Sequence, residues 1–165
     1  MNKTVSVIMP VRKLDAHCYE ALDSILAQTY RDLEIIIIVD YSDVDASRKI
    51  LGDYLSFNHK YDVKVIGSRI TGIAAALNAG IQESSGLYIA RMDSDDVSAP
   101  TRIAQQVQYL ESNERCQILA TRARYLSESG IEIGASTLTF CRVFSKRSLW
   151  SNQHPFSRNR ALYTS

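Results

Sequence analysis

An α/β fold, a mostly parallel sheet flanked by helices, is predicted by three observations. Short β-branched runs alternate with segments of helical periodicity from Val5 to about Thr121. The stretch 35–39 reads IIIIV, an uninterrupted run that suits a central parallel strand buried on both faces. Loop-forming and acidic residues follow three of the runs, at Pro10-Val11-Arg12, Asp40-Tyr41-Ser42 and Asp93-Ser94-Asp95-Asp96. Such alternation implies parallel strands joined by crossover helices. Ligands bind these sheets at the carboxyl ends of the strands, so three loops are expected to converge on one edge.

The elements follow in order. Val5–Met9 is a short apolar run stopped by Pro10, which cannot donate to a sheet ladder. His17–Thr29 carries Cys18, Ala21, Leu22, Ile25 and Leu26 at helical spacing. Leu33–Val39 is the central strand. Ala46–Phe57 places Ile50, Leu51, Tyr54 and Leu55 on one stripe, and Asp43-Val44-Asp45 reads as a capping turn before it. Val63–Ile66 is strand-like, Gly72–Ser84 reads as helix, and Gly86 breaks it. Leu87–Met92 is a strand that ends at the acidic cluster. Pro100 suits a helix start, where its missing N–H would be unpaired anyway, and that helix runs to about Asn113, with Asp96 as its expected cap. Gln117–Thr121 is a last strand candidate. Arg124–Ser127 and Ile131–Ile133 flank Gly130 as a hairpin, and Phe140–Trp150 reads as helix. The polar tail SNQHPFSRNRALYTS has no periodicity and reads as a poorly ordered end or an element missing its partner.

Composition narrows the function classes. At 165 residues with 45% hydrophobic residues the chain fits one globular domain with a real core. A net charge of +1 offers no field for nucleic acid. Cys18, Cys116 and Cys141 lack any C-x-x-C spacing, which argues against a disulfide framework or zinc site and suits a reducing compartment. No stretch approaches the roughly 18 apolar residues of a membrane span. The expected setting is cytoplasmic, with peripheral contact to a membrane left open.

The acidic loop is the main chemical signal. Two carboxylates two residues apart at a strand end repel, and one would tend to take up a proton. A divalent cation removes that conflict. Hard oxygen ligands suit Mg²⁺ or Mn²⁺, which bind through one or two carboxylates plus substrate phosphates. The loop then clamps a diphosphate.

Several segments together, VSVIMPV, SILAQTYRDLEIIIIVD and GIAAALNAGIQESSGLYIARMDSDDVSAPTRIAQQV, resemble the family 2 glycosyltransferases of the GT-A fold over roughly residues 4–125. The resemblance implies a Rossmann-like nucleotide-diphospho-sugar transferase fold, with a nucleotide-binding core over 1–125 and an incomplete acceptor-side segment and tail over 126–165. It implies transfer from a nucleotide-diphosphate sugar to an acceptor hydroxyl of a carbohydrate or lipid-linked acceptor, metal-dependent and inverting, as in polysaccharide biosynthesis. Asp93 and Asp95 match the family's Asp-x-Asp, Asp95 as direct metal ligand and Asp93 toward ribose or a metal-bound water. Ser94 lies between them. Pro10 and Val11 match the loop against the nucleoside, and Asp40 the first acid after the second strand. Gly72 and Asn78 fall in the segment bordering base and diphosphate.

Two departures stand out. Pro10-Val11-Arg12-Lys13 replaces the family's P-x-Y-N, and Asp40-Tyr41-Ser42-Asp43 replaces D-D-G-S. Tyr41 stands where a carboxylate would accept from a base N–H, and could stack on the base instead. These changes leave the nucleotide open. There is no Asp after Asp96, and Glu111, Glu114, Glu128 and Glu132 do not resemble the family's base motif, so the catalytic base is unknown. The alternative is a donor-binding domain without turnover. A pyrophosphorylase would want glycines in PVRKLD, and a dinucleotide enzyme needs G-x-G-x-x-G; neither is present. Leu149, Trp150 and Phe156 lack an obvious partner and are expected to pack on a second copy, as in a homo-oligomer, or to stay disordered.

Overall fold

The structure, a computed structural model, describes residues 4–56, 61–69, 72–127 and 131–136, together with the backbone of 141–142 and 160–163. Strands are β1 (Val5–Pro10), β2 (Leu33–Asp40), β3 (Asp62–Ser68), β4 (Tyr88–Arg91), β5 (Ile118–Ala120), β6 (Arg124–Leu126), β7 (Glu132–Ala135), β8 (Cys141–Arg142) and β9 (Arg160–Tyr163). Helices are α1 (Ala16–Leu26), α2 (Val44–Leu55), α3 (Ile73–Glu83) and α4 (Arg102–Ser112), with a 3₁₀ turn at Tyr41–Asp43. One sheet has the order β3-β2-β1-β4-β9-β5-β8, and β6-β7 form a separate antiparallel pair. The long sheet is parallel except where β8 runs against β5.

The IIIIV run is the centre of the core. Strand residues alternate between faces, so the run fills both. Val7, Met9, Ile35, Ile37, Val39, Tyr88 and Ala90 meet the helices α1, α2 and α4 through Leu22, Ile25, Leu51, Ile103 and Leu110. Ile8, Ile36, Ile38 and Ile89 face the other way, against Ala76, Leu77 and Ile81 of α3. Gly80 lets α3 lie close. A Cβ there would come within 2.5 Å of Ile8 Cγ2 and 2.9 Å of Ile38 Cδ1. Alanine usually stabilises a helix over glycine by about 1 kcal/mol, but overpacking a core costs about 1–3 kcal/mol. Gly80→Ala is therefore expected to lower the urea midpoint despite its better helix propensity.

The amino edge of the sheet is closed by Glu34. Its side chain is only 5% exposed. Oε1 accepts from Ser6 Oγ (2.5 Å), Ser85 N (2.6 Å), Ser85 Oγ (2.9 Å) and Gly86 N (3.0 Å), and Oε2 pairs with Lys64 Nζ at 3.2 Å. One carboxylate thus ties β1, β2, β3 and the turn between α3 and β4. A buried charge is tolerated when its lone pairs are satisfied in this way.

Several expectations are corrected. The stripe expected on α2 is only partly buried. Leu51 is fully buried, while Ile50 is 46% and Tyr54 36% exposed. Tyr54 leans onto α1 instead, donating to Asp23 Oδ1 at 2.7 Å with its ring 4.6 Å from that of Tyr19. The hairpin forms as read, but it leaves Tyr125, Leu126, Ile131 and Ile133 more than half exposed. Cys141–Arg142 is a strand where helix was expected; the rest of that segment lies outside the described residues, as do Leu149, Trp150 and Phe156. In the tail, Arg160–Tyr163 inserts between β4 and β5. Its four residues are too few to show a period, and its partners are distant in sequence. Cys116 is disulfide-bonded, contrary to the reading from spacing. The absence of C-x-x-C spacing says nothing about a bridge between residues distant in sequence. Cys18 is a free, buried thiol pushed up to about 11 by burial and then by Asp15.

Candidate active site

The chain leaves β1 toward β2 on one side and later returns to β4 on the other, so strand order reverses between β1 and β4. The crevice at the carboxyl ends of two such strands is where doubly wound sheets bind ligands. Pro10 and Val11 end β1 there, and Met92–Asp95 end β4. Val11 N donates to Ile38 O at 2.7 Å and Met92 N to Ile8 O at 3.0 Å, so the ladders hold both loops at one level. Asp40 ends β2 and Ser68 ends β3, with Tyr41 and Arg69 just beyond them, farther along the same edge.

Each residue singled out in the sequence can be placed. Val11 is 5% exposed and packs into the core; Pro10 is half-buried. Asp40 is exposed and turned onto its own 3₁₀ turn, where Oδ1 accepts from Ser42 N (3.0 Å) and Ser42 Oγ (2.8 Å). Those bonds hold its carboxyl below the usual value of 3.8. Tyr41, beside it, lies against Gly67, carries the Arg69 guanidinium over its ring at 4.2 Å, and receives a 2.9 Å bond from Arg69 Nη2 at its hydroxyl. Gly72 is the N-cap of α3 at φ +106°, a conformation that favours glycine, and its carbonyl accepts from Ala76 N. Asn78 is exposed in the middle of α3. Ser94 is half-buried and Asp95 exposed.

Asp93 is held by its own strand. Arg91, two residues earlier, donates Nε to Oδ1 at 2.9 Å and Nη2 to Oδ1 and Oδ2 at 2.7 Å each. The two-residue strand period puts the pair on one face, so this contact was readable from the sequence. The Asp96 carboxyl is raised by desolvation, then by Asp93 and Asp95, against Arg91 and Arg102. Asp96 does not cap α4. Its backbone N–H closes a turn on Asp93 O at 3.3 Å, and Thr101 is the N-cap residue, with no side-chain cap bond.

The cap comes from the segment just after α1. Fully buried Gln28 accepts from Ile103 N at 3.1 Å and donates Nε2 to Ser98 Oγ (3.0 Å) and Ala99 O (2.8 Å). Ser98 N donates to Ser24 Oγ at 2.9 Å. Arg102, 6% exposed, donates Nε to Ser98 Oγ at 2.6 Å and sends Nη2 to Met92 Sδ at 3.9 Å; its Nη1 is buried without a partner. Burial lowers Arg102 to about 10, opposed by Asp96, which leaves it a cation at neutral pH. Gln28, Ser24 and Arg102 fix the loop that carries the three aspartates. Sequence reasoning passed over Gln28 and Ser24 because their contacts join residues 70 to 75 positions apart, and over Arg102 because its burial is set by the fold.

No group of three or more His, Cys, Asp or Glu placed to hold a metal occurs among the described residues. The donor set that exists is two hard-oxygen carboxylates, Asp93 and Asp95. That set fits Mg²⁺ or Mn²⁺ completing its shell with ligand phosphates and water, and does not fit an all-protein cage.

Comparison with known proteins decides the family. The sequence model described as "Glycosyl transferase family 2" matches residues 6–163. The chain belongs to glycosyl transferase family 2. It is 37% identical over 126 residues to the O-antigen biosynthesis glycosyltransferase WbnJ of Escherichia coli, covering 76% of this chain and 48% of that protein. It is 34% identical over 125 residues to an uncharacterized glycosyltransferase of Haemophilus influenzae, covering 75% and 38%. The chain thus spans about half or less of the length of these relatives. The fold is GT-A. Staphylococcus aureus TarS 1–349 in complex with UDP superposes at a TM-score of 0.60 with 20% identity, over 72% of this chain and 35% of that one. The mannosyltransferase PcManGT of Pyrobaculum calidifontis, in complex with GDP-Man and Mn²⁺, gives 0.61 with 22% identity over the same shares. Among the described residues no helix is long and apolar enough to cross a membrane.

Proposed function

We propose that this chain binds a nucleotide-diphosphate sugar at the crevice between the carboxyl ends of β1 and β4, for inverting transfer of the sugar to an acceptor hydroxyl. The observation that carries this reading is the acidic loop Asp93–Asp96 at the point where strand order reverses, with the segment just after it held at Ser98 and Ala99 by Arg102 and Gln28. Asp95, exposed at the loop tip, would hold Mg²⁺ or Mn²⁺ together with the diphosphate, and Asp93 would face the ribose or a metal-bound water. A bound divalent ion neutralises the charge that builds on the departing diphosphate. Val11 and the edge at Asp40–Tyr41 would border the nucleoside.

A binding domain without turnover is favoured by one feature. Acceptor activation needs a general base near the hydroxyl. Among the described residues after Asp96, Glu111 accepts from the Tyr88 hydroxyl, and Tyr88 opens β4 at the opposite edge; Glu132 pairs with Arg124 at 3.5 Å. Glu114 is exposed just past α4.

A thermal-shift panel of UDP, GDP, CDP, ADP and dTDP, each with and without Mn²⁺, tests the donor site. At least one nucleotide should raise the midpoint only when Mn²⁺ is present. No metal-dependent shift with any of the five removes the reading. Sugar transfer from the corresponding nucleotide sugar then separates enzyme from binder.

A further inference from the structure

Asp93 already has a cation. Both of its oxygens accept from Arg91 in a forked, charge-assisted contact, with side chains 31% and 29% exposed. Three carboxylates, Asp93, Asp95 and Asp96, share the loop with two guanidiniums, Arg91 and Arg102. The group therefore offers a divalent ion little net negative charge, and the ion would have to share Asp93 with Arg91. A diphosphate arriving with the ion supplies the missing negative charge.

We propose that Arg91 is a positioning residue that holds Asp93 in place of a metal ion, so that the divalent cation is taken up together with the nucleotide diphosphate and not ahead of it. The uptake order rests on the donor-site reading above; the hold on Asp93 does not. Arg91 fixes the carboxylate in one rotamer before ligand arrives, which lowers the ordering cost of the assembled site. It also keeps the loop from binding a cation without a substrate.

The test is Mn²⁺ titration of the whole chain by electron paramagnetic resonance, for wild type, Arg91→Met and Arg91→Lys, with and without GDP or UDP. Without nucleotide, R91M should bind Mn²⁺ about tenfold more tightly than wild type, since one adjacent opposing charge is gone. R91K keeps a charge but not the fork and should fall between. Equal or weaker binding by folded R91M overturns the proposal. If R91M does not fold, R91K decides: tighter Mn²⁺ binding supports the hold on Asp93, and no gain overturns it. With nucleotide, wild type should gain Mn²⁺ affinity by a larger factor than R91M. If R91M gains affinity for Mn²⁺ alone but no nucleotide tightens Mn²⁺ on wild type, the donor-site reading and the uptake order fail together, while the hold on Asp93 stands.

Discussion

Asp95→Asn is expected to abolish the Mn²⁺-dependent gain in nucleotide affinity. Asp95 is an exposed carboxylate with no bond to Arg91, whereas both oxygens of Asp93 are committed to Arg91. The amide keeps the size of the side chain and loses the charge that a hard cation needs. A loss of about 3 kcal/mol would weaken binding of the metal–nucleotide pair on the order of a hundredfold. Asp93→Asn should act less severely on the metal, because it removes a charge already paired. Isothermal titration with nucleotide at saturating Mn²⁺ ranks the two variants. A weaker effect of Asp95→Asn than of Asp93→Asn would reverse the assigned roles. Neither residue contacts the Glu34 clasp; Asp95→Asn should keep the wild-type urea midpoint, whereas Asp93→Asn also breaks the Arg91 fork and should lower it modestly.

Glu34→Ala is expected to be the most destabilising single change at the opposite edge, by about 3–5 kcal/mol. It strips a buried acceptor from the Ser6 hydroxyl, the Ser85 hydroxyl and N–H, and the Gly86 N–H, and leaves Lys64 without its buried partner. For a chain this size each kcal/mol moves the melting midpoint roughly 2–4 °C. Gly86→Ala strikes the same clasp from the other side, because a Cβ would meet Ser6 Oγ at 2.5 Å and Thr4 O at 2.7 Å. The pH dependence has a definite sign. Burial alone would raise the Glu34 carboxyl, but the bonds from Ser6 and Ser85, aided by Lys64, outweigh it and hold the group below its ordinary value of 4.5. A group depressed in the folded state stabilises above its unfolded value and loses that contribution as pH falls through the folded one. Wild-type stability should therefore drop as pH falls below 4.5, and Glu34→Gln should flatten that part of the urea-midpoint profile. A profile with the same slope in both proteins would contradict the assignment.

Much of the fold was legible because its signals are local. Strands β1 and β2 announce themselves as apolar β-branched runs, β4 as a short apolar stretch between Gly86 and the acidic cluster, α1 as a one-sided apolar stripe and α4 by Pro100 at its start. That the loops after β1, β2 and β4 share the carboxyl edge of the sheet followed from alternation alone. What escaped depends on contacts distant in sequence. The α2 stripe misled because Tyr54 spends its ring on Tyr19, not on the sheet. Asp96 was a reasonable cap by position, yet Gln28, just past the end of α1, takes the Ile103 N–H of α4 instead. Arg102 reads as a surface charge at a helix start, and only the fold reveals that it is buried behind the loop. The strand β9 carries no pattern because its neighbours, not its own four residues, make it a strand. Arg91 was passed over too, although it stands only two residues before Asp93 at the end of β4.

Paramagnetic broadening by Mn²⁺ tests the central claim most directly. In an amide spectrum of the chain with a nucleoside diphosphate at saturation, trace Mn²⁺ should erase the signals of Met92–Asp96 and Val11 first. Signals of Ser6, Glu34, Ser85 and Gly86, at the far edge of the sheet, should survive. Loss of the far-edge signals first, or uniform survival of the acidic loop, would contradict a metal–diphosphate site between β1 and β4.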